Sequence, residues 1–354
     1  MKVLIVNPIL YTNENRNIKK VNTIKDTMIY DLCLAFKKKG CDVTLAASDL
    51  YKPSENESYP FNIIWMRTRL TKLFPPHTLP YCPEVKKIAK SGNFDLIITS
   101  EVFSLNSLKL ALCTPKNLIV WQELGKHNRI FHGLASKFWY GIVAKIGFKK
   151  ALIVARSVQA KEFISKYCKN VSDTIIDHGV NIEKFTPCRE KDSQFAISSQ
   201  LISRKHIEKS IEAFAKYLNK YDDSAKLYIM GDGDEKENLR KLANIIFTGK
   251  LGHNKLIEIL KKSIAMLVYT EKDNNMVSIV ESIALATPVI TTDIPYNASY
   301  IKAEKLGIVN NNWNDDDLRK LATSDEYINN CMNYRKYLPT EYKAEQFLKV
   351  KGLS

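Results

Sequence analysis

One stretch decides how this chain is interpreted: Glu271-Lys-Asp-Asn-Asn-Met-Val-Ser-Ile-Val-Glu-Ser-Ile-Ala-Leu-Ala-Thr-Pro-Val-Ile-Thr-Thr292. The run before it, 265–270, is apolar and rich in β-forming residues, which predicts a strand. Between 275 and 285 the apolar positions recur at helical spacing, with one face formed by Val277, Val280, Ala284 and Leu285. Pro288 ends this helix, and the apolar residues after it open another strand. The pattern predicts strand, loop, helix and strand in direct succession.

Two acidic residues eight positions apart, Asp273 and Glu281, surround the start of this helix. A helix that starts at the carboxyl end of a parallel strand offers unpaired N–H groups and a positive dipole end to an anion such as a diphosphate, here at Asn275, Met276 and Val277. Glu281, further into the helix, can accept hydrogen bonds from the vicinal hydroxyls of a ribose. The alternative is that Glu281 is a solvated helix residue and Asp273 an N-cap.

The arrangement resembles the E-x7-E signature of the retaining glycosyltransferases of family 4. Glu281 stands at the second acidic position and is followed by Ser-Ile-Ala-Leu-Ala-Thr-Pro-Val, where the family usually has E-A-x-A-x-G-x-P-V. The first acidic position holds Asp273 in place of Glu, and Asn274 and Met276 replace the usual glycines. These departures affect the sugar-binding half of the motif more than the nucleotide-binding half.

Further fragments resemble the family in the correct order along the second half of the chain. They are His178-Gly-Val-Asn-Ile-Glu-Lys-Phe-Thr-Pro187, Gln200-Leu-Ile-Ser-Arg-Lys-His206 with Ile211-Glu-Ala-Phe214, Gly231-Asp-Gly233 and Phe247-Thr-Gly249. Each fragment alone is weak evidence, and their order makes them stronger together. The first half of the chain resembles the family in outline only.

The resemblance implies an α/β protein of the GT-B fold, with two Rossmann-like domains facing a central cleft. Alternating strand-like and helix-like segments in both halves independently favour doubly wound parallel sheets; among them are predicted strands at 94–100 and 151–155 and predicted helices from about residue 23 to 39 and at 207–220. We expect an acceptor-binding domain at 1–186, a nucleotide-sugar-binding domain at 187–337, and a final helix at 338–354 that returns to the first domain.

The family pattern also suggests which residues bind the nucleotide sugar. Lys205 would place a cation at the phosphates; Gln200 stands where the family has an Arg, so Arg204 would supply the second charge. Gly231 lies in the G-x-G turn, and Gly249 permits close backbone approach to the base. Main-chain groups of Lys250 and Leu251 could then bind that base. The alternatives are a solvated lysine and a plain turn glycine.

In the first domain the family has a His near the transferred sugar, and the matching position holds Gln122. This leaves His127 and Glu123 as candidate catalytic residues, although a lone His is more often structural. The glycine-rich loop after the first strand is replaced by 11–16, which contains Asn and Arg.

Length and composition limit the classes of protein to which this chain can belong. With 354 residues the chain can form two domains with separate cores. No apolar run of eighteen residues exists, the N-terminus is typical of a first strand, and the seven cysteines form no C-x-x-C pair. We therefore expect a cytoplasmic protein without a disulfide framework or a metal site.

The net charge of +15 attracts anions, which leaves nucleic acid, anionic lipid and phosphorylated substrates open. No nucleic-acid-binding motif is present in the sequence. Two basic segments with interleaved aromatic residues, 65–74 and 126–150, favour a peripheral contact with an anionic membrane, and the second contains no Asp or Glu. An ordinary core helix with a solvated basic edge is an equal alternative.

The family resemblance implies a retaining transferase of the hexosyltransferase type for bacterial cell-surface polysaccharide synthesis. It would use a UDP- or GDP-linked sugar as donor, a glycan or polyprenyl-linked acceptor, and no cofactor. A sugar-nucleotide epimerase of the same fold and a catalytically weak binding subunit of a transferase complex are the alternatives. The sequence leaves the sugar, the base, the acceptor and the oligomeric state open.

Overall fold

The computed structural model describes residues 1–11, 18, 20–128, 133–233 and 245–353. It divides the chain into two compact units: Met1–Gly179 with Thr340–Ser354, and Val180–Pro339. The sequence analysis placed the first boundary after residue 186 and the start of the returning segment at 338. Among the described residues, no helix combines the length and hydropathy needed to cross a membrane.

The first unit contains a parallel six-stranded sheet in the order β3-β2-β1-β4-β5-β6. Its strands are β1 Lys2–Val6, β2 Asp42–Ser48, β3 Asn62–Met66, β4 Leu96–Ser100, β5 Leu118–Gln122 and β6 Leu152–Ala155. Its helices are Met28–Lys38, Val85–Ser91, Leu105–Cys113, Leu134–Phe138, Lys145–Gly147, Val158–Ser165 and Thr340–Lys351, with a π-helical turn at Trp139–Ala144. The strand order reverses direction between β1 and β4.

The second unit repeats this architecture, with a parallel sheet in the order β12-β11-β10-β7-β8-β9. Its strands are β7 Gln194–Ser198, β8 Lys226–Met230, β9 Ile245–Gly249, β10 Ala265–Leu267, β11 Val289–Thr291 and β12 Gly307–Val309. Its helices are Ile207–Lys220, His253–Lys262, Val277–Ala284, Ala298–Ala303, Asp315–Ala322 and Glu326–Tyr334. Here the order reverses between β7 and β10. The predicted fold class, with two Rossmann-like sheets, is confirmed.

Each sheet is buried on both faces, because successive side chains of a strand point to opposite sides. In β1, Val3 and Ile5 belong to one apolar core and Leu4 and Val6 to the other. The sequences of the strands are therefore continuous apolar runs, without the alternation of apolar and polar residues that a half-exposed sheet shows. In sheets of this kind, ligands bind at the carboxyl ends of the strands.

The final helix, Thr340–Lys351, packs on the helix Met28–Lys38 of the first unit. The rings of Phe36 and Phe347 lie 6.2 Å apart, and Trp121 contacts Phe347 edge-on at 5.2 Å. Ion pairs from the first helix and the residue after it support the contact, with Lys38–Glu341 and Lys39–Glu345 both at 2.8 Å.

The structure corrects three details of the predicted elements. The strand expected at 265–270 ends at Leu267, and the helix expected from about residue 23 begins at Met28, because the Thr27 side chain accepts a hydrogen bond from the Tyr30 amide as an N-cap. The helix expected at 275–285 is Val277–Ala284. Its first residue, Val277, is 39% exposed rather than on the buried face, because it lies at the helix end.

Candidate functional site

The main candidate site lies at the reversal point of the second sheet, where loops leave the carboxyl ends of β7 and β10. The Nζ of Lys205 lies 2.6 Å from Oδ2 of Asp273, and Nη1 of Arg204 lies 3.2 Å from Oδ1 of the same carboxylate. Arg204 also donates to the carbonyl of Lys272 at 2.7 Å. In open α/β sheets this edge is where ligands bind. Two cations and one carboxylate, all predicted from sequence, are thus brought together here.

The backbone around these cations explains how they are held. Ser203–Lys205 forms a 3-10 turn, and His206 adopts a left-handed conformation, φ 42°, immediately before the helix Ile207–Lys220. His206 lies between two carboxylates, with Nδ1 2.8 Å from Glu208 Oε1 and Nε2 2.7 Å from Glu271 Oε1. Burial opposes protonation of His206, but its interactions with the two carboxylates outweigh this effect and raise its pKa. The histidine therefore ties the cation turn to the loop that carries Asp273.

The glycines of the G-x-G turn permit a close approach of backbone to this site. A Cβ on Gly231 would lie 1.8 Å from the carbonyl oxygen of Ser199, and one on Gly233 would lie 2.2 Å from that of Leu201. The Leu201 amide donates to the carbonyl of Asp232 at 3.0 Å. Both glycines hold the segment after β7 in place, which is a role distinct from ligand contact.

Glu281 lies in the second turn of the helix Val277–Ala284, with its carboxylate Oε1 3.0 Å from Nε2 of His253. The Glu281 side chain is 16% exposed. At the helix start, the Met276 amide donates to Oδ1 of Asn297 at 2.6 Å. Sequence reasoning missed His253 as the partner of Glu281, because the two residues are far apart in the chain and only the fold brings them together.

The other residues predicted to bind the nucleotide sugar lie on the same unit. Gln200 and Lys250 are exposed, whereas Leu251 and Asn275 are partly exposed. Gly249 has a left-handed φ of 68° and ends β9, and its carbonyl accepts a hydrogen bond from the Gly231 amide at 3.0 Å. Their roles in ligand contact stay predictions.

In the first unit, His127 is engaged in packing. Its Nδ1 lies 2.9 Å from Ser136 Oγ and its Nε2 3.0 Å from the Tyr167 hydroxyl, and its ring lies edge-on against Phe163 at 5.1 Å. Burial, assisted by the charge of Lys137, lowers its pKa. Both ring nitrogens are occupied, which favours a structural role in this conformation. A catalytic role stays a prediction.

Gln122 is fully buried. Its Oε1 accepts from the Val102 amide at 2.9 Å, and its Nε2 donates to the carbonyl of Leu124 at 2.9 Å. These bonds fix the loop between β5 and the next helix. Gln122 therefore binds main-chain groups of Val102 and Leu124, and it occupies the position where the family has a His.

Glu123 belongs to a polar cluster at the carboxyl ends of β4, β5 and β6. Its Oε2 lies 2.9 Å from Nη1 of Arg156, and its Oε1 lies 3.9 Å from Nε2 of His178. Glu101 accepts a hydrogen bond from the Glu123 amide at 2.8 Å. Sequence reasoning missed Glu101 and Arg156, although each directly follows a predicted strand, and that position is the signal that could have found them.

No group of three or more His, Cys, Asp or Glu side chains that could hold a metal ion occurs in the described parts of the chain. Arg16 of the loop after β1 and Arg129 after His127 lie outside the described residues.

Comparison with known proteins gives a family match for the second unit. Residues 181–334 match the family model of the glycosyl transferases group 1. An uncharacterized glycosyltransferase of Methanocaldococcus jannaschii, MJ1069, is 27% identical over 252 residues, which cover 63% of this chain and 64% of that protein. The alpha-monoglucosyldiacylglycerol synthase of Streptococcus pneumoniae is 24% identical, over 62% of this chain and 57% of that protein. The match thus spans less than two thirds of the length of either relative.

Similarity to solved structures extends over nearly the whole chain. The crystal structure of Anabaena Alr3699/HepE in complex with UDP and glucose aligns with a TM-score of 0.61 at 11% identity, covering 99% of both chains. At this identity the likeness establishes the fold, which is GT-B. The residues matched by the family model all lie in the second unit. The predicted GT-B fold is confirmed, the family match supports the predicted glycosyltransferase, and the assignment to family 4 stays a prediction.

Proposed function

We propose that this chain is a retaining glycosyltransferase that moves a hexose from a UDP- or GDP-linked sugar to a glycan or lipid-linked acceptor. The observation that carries the proposal is the cluster of Arg204, Lys205 and Asp273 at the reversal point of the second sheet. Lysine is rarely buried unless it is paired with an opposite charge, and buried charged groups are concentrated at functional sites. Lys205 is only 6% exposed. A setting in bacterial cell-surface polysaccharide synthesis is part of the proposal.

In this proposal the donor diphosphate binds beside Lys205 and Arg204 and near the start of the helix Val277–Ala284, whose dipole favours negative charge. Asp273 bonds both cations and accepts a hydrogen bond from the Thr270 hydroxyl. It would therefore orient the cations as well as bind hydroxyl groups of the transferred sugar. Glu281 would bind the ribose hydroxyls with its carboxylate, which His253 orients.

The chemistry follows from this arrangement of charge. The bond from the anomeric carbon to the β-phosphate oxygen breaks, and a bond to the acceptor oxygen forms on the same face of the sugar. The acceptor proton passes to an oxygen of the leaving diphosphate. The two cations and the helix dipole stabilise the charge that develops on that leaving group, so this mechanism assigns no step to a metal ion.

A lipid-linked acceptor is supported by the relative whose name refers to a monoglucosyldiacylglycerol. It is also supported by an exposed apolar stripe on the first unit, formed by Leu134, Phe138, Ile142 and Ile146, which are 67%, 62%, 51% and 74% exposed. These residues recur every four positions, so they lie along one face of the helical segment. Such large exposed apolar side chains in a row mark an interaction surface.

The charge around the stripe favours an anionic membrane as its partner. Lys137, Lys145, Lys149 and Lys150 are all exposed, and no Asp or Glu occurs between residues 126 and 150. Apolar side chains beside lysines are typical of segments that lie in the membrane interface. We therefore propose a peripheral position on the cytoplasmic face of the plasma membrane.

Ligand stabilisation tests the donor half of the proposal. Thermal unfolding is measured with a panel of UDP- and GDP-sugars, on the wild type, on Lys205→Ala and on Lys216→Ala, an exposed lysine of the following helix. A donor at a hundred times its Kd adds about 2.7 kcal/mol of stability. We expect full stabilisation of the wild type and the control, and a clearly smaller stabilisation of Lys205→Ala. Release of the free nucleotide, with and without acceptors, separates transfer from epimerisation and from binding alone.

A further inference from the structure

The first sheet also reverses its order, between β1 and β4, and a polar network joins the strand ends at this point. Asn7 directly follows β1, and its Oδ1 accepts a hydrogen bond from Ser100 Oγ at the end of β4 at 2.7 Å. Arg156, directly after β6, donates to the same Ser100 Oγ at 3.2 Å and to Glu123 Oε2 at 2.9 Å. The network therefore spans the edge at which open α/β sheets bind ligands.

Glu101 occupies the centre of this edge in an unusual backbone conformation. Its φ of 65° lies in the left-handed region, which non-glycine residues rarely adopt at a cost of about 1 kcal/mol or more. Its amide donates to the carbonyl of Trp121 at 3.2 Å, and its carboxyl accepts from the amides of Glu123 and Leu124 at 2.8 and 3.4 Å. Conformations of this kind are concentrated at functional sites.

The electrostatic setting of Glu101 is also unusual. Burial raises its pKa from 4.5 to about 7, against the opposing charge of Arg156 and together with the like charge of Glu123. The hydroxyl of Tyr140 lies within its electrostatic range as well. A carboxyl that ionises near neutral pH can donate or accept a hydrogen bond with a hydroxyl group.

A second buried group supports a binding role for this edge. His178 is 5% exposed, and its Nδ1 has no hydrogen-bond partner among the described residues. Its Nε2 lies 3.9 Å from Glu123 Oε1, which is beyond hydrogen-bond distance. A buried polar atom that lacks a bond is rare in proteins, and His178 stands directly beside the carboxylate of the network.

We propose that Glu101, together with Glu123 and Ser100, binds hydroxyl groups of the sugar acceptor and thereby determines acceptor specificity. The proposal rests on the glycosyltransferase function proposed above, to which it adds the acceptor-binding residues and their ligand class, a neutral polyhydroxylated molecule. The ionised form of Glu101 is the binding form, because hydrogen bonds to a carboxylate are stronger than those to a neutral acid. Arg156 positions Glu123 and Ser100 through its hydrogen bonds.

The test uses the full chain and methyl glycosides of glucose, galactose and mannose as acceptor probes. Glu101→Gln keeps the size of the side chain and its ability to accept the backbone hydrogen bonds, but it cannot ionise. Glu162→Gln, an exposed carboxyl of the same unit, is the matched control, and Ser100→Ala is a second variant of the network. Circular dichroism verifies that each variant is folded.

We expect the KM of Glu101→Gln for a glycoside to rise about tenfold, with donor affinity unchanged within twofold. In the wild type, kcat/KM for the glycoside should increase as the pH rises through 7. This increase should be absent in Glu101→Gln and present in Glu162→Gln. Ser100→Ala should raise KM in the same direction, with its pH dependence retained.

An unchanged KM with a retained pH profile in Glu101→Gln would overturn the proposal. The absence of any glycoside binding, measured by saturation-transfer NMR on the wild type, would overturn the ligand class. Donor binding is followed separately by thermal shift, so failure of the whole transferase function is recognised by loss of the donor signal. The NMR comparison of wild type and Glu101→Gln then still decides whether the edge binds sugars.

Discussion

Lys205 and Asp273 form a close ion pair, Nζ to Oδ2 at 2.6 Å, between the loops that follow β7 and β10. Both side chains are largely buried, at 8% and 14% exposed, so each charge depends on the other. The pair holds a cation ready at the point where the sheet topology places a ligand. An incoming diphosphate would add to this pair and to Arg204 without the need to bury a new, unpaired charge.

The first prediction concerns Lys205. Lys205→Ala removes a charged hydrogen-bond donor to the diphosphate, so donor affinity should fall by about 1.5–3 kcal/mol, or roughly 10- to 150-fold. The variant also leaves Asp273 with Arg204 as its remaining cation, which limits the loss of stability. Calorimetric titration with the stabilising UDP- or GDP-sugar measures the change. Equal affinity in Lys205→Ala and Lys216→Ala would exclude Lys205 from the donor site.

The second prediction separates Asp273 from its neighbour Glu271. Asp273→Asn should lower turnover more than nucleotide affinity and should also lower the melting temperature, because it weakens the partner of a buried lysine. Glu271→Gln should change stability by less than about 1 kcal/mol, because its side chain is 68% exposed in the pair with His206. If Glu271→Gln alone impairs turnover, the alignment of the acidic motif is shifted by two residues.

The third prediction concerns ribose recognition. Glu281→Ala removes an acceptor of two hydroxyl hydrogen bonds and leaves a good helix former, so the fold should persist. Donor affinity should fall by about 1.5–3 kcal/mol. His253→Ala should weaken binding less, because it removes only the group that orients Glu281 Oε1. Glu212→Ala, at an exposed helix position, is the control, and unchanged binding in Glu281→Ala would refute the ribose contact.

The sequence was sufficient to predict the main elements of the second unit, because the sequence signals for these elements are local. The helix Ile207–Lys220 was predicted at its observed bounds, since its apolar spacing and the break at both ends depend on nearby residues only. The placement of Asp273 and Glu281 around the start of one helix was likewise predictable, because a single loop and helix separate them. The ends of short elements were less accurate, as with the strand that stops at Leu267.

The position of Glu101 and Arg156 directly after strands marks them as candidates, but the contacts within the polar network of the first unit could not be predicted, because its members are distant in sequence. Ser100, Glu123 and Arg156 meet only because β4, β5 and β6 are adjacent parallel strands. The partners of His127 could not be predicted either, since Ser136 lies in the helix Leu134–Phe138 and Tyr167 lies in the turn after the helix Val158–Ser165. Residue type and spacing carry no information on such pairings.

The fourth prediction uses the raised pKa of Glu101. A carboxyl whose pKa rises from 4.5 to about 7 on folding binds more protons in the folded state between these values, so stability falls as pH rises through this window. The loss is at most roughly 3 kcal/mol. Glu101→Gln should remove this dependence, so its free energy of unfolding relative to wild type should be more favourable at pH 8 than at pH 5. Urea titrations at both pH values measure it; a constant difference between the two proteins would contradict the assignment.

The last prediction concerns membrane association through the first unit. The protein should bind vesicles that contain phosphatidylglycerol and not vesicles of phosphatidylcholine alone. The contact would be made by the apolar stripe and the lysines around it; the stripe consists of Leu134, Phe138, Ile142 and Ile146. Each lysine near such a surface contributes about 1 kcal/mol, and salt should release the protein because the Debye length shortens. Co-sedimentation at low and high salt tests both expectations.

Two variants distinguish the apolar from the electrostatic contribution. Phe138→Gln with Ile142→Gln should weaken binding at every salt concentration, whereas Lys137→Gln with Lys145→Gln should weaken it mainly at low salt. Ile294→Gln, an exposed isoleucine of the second unit, is the matched apolar control. The basic segment with Arg67, Arg69 and Lys72 is exposed as well, and its neutralisation tests whether it is part of the same docking surface. Equal binding to neutral and anionic vesicles would refute the role of charge. Binding to neither kind of vesicle at low salt would refute the membrane association and favour a soluble acceptor.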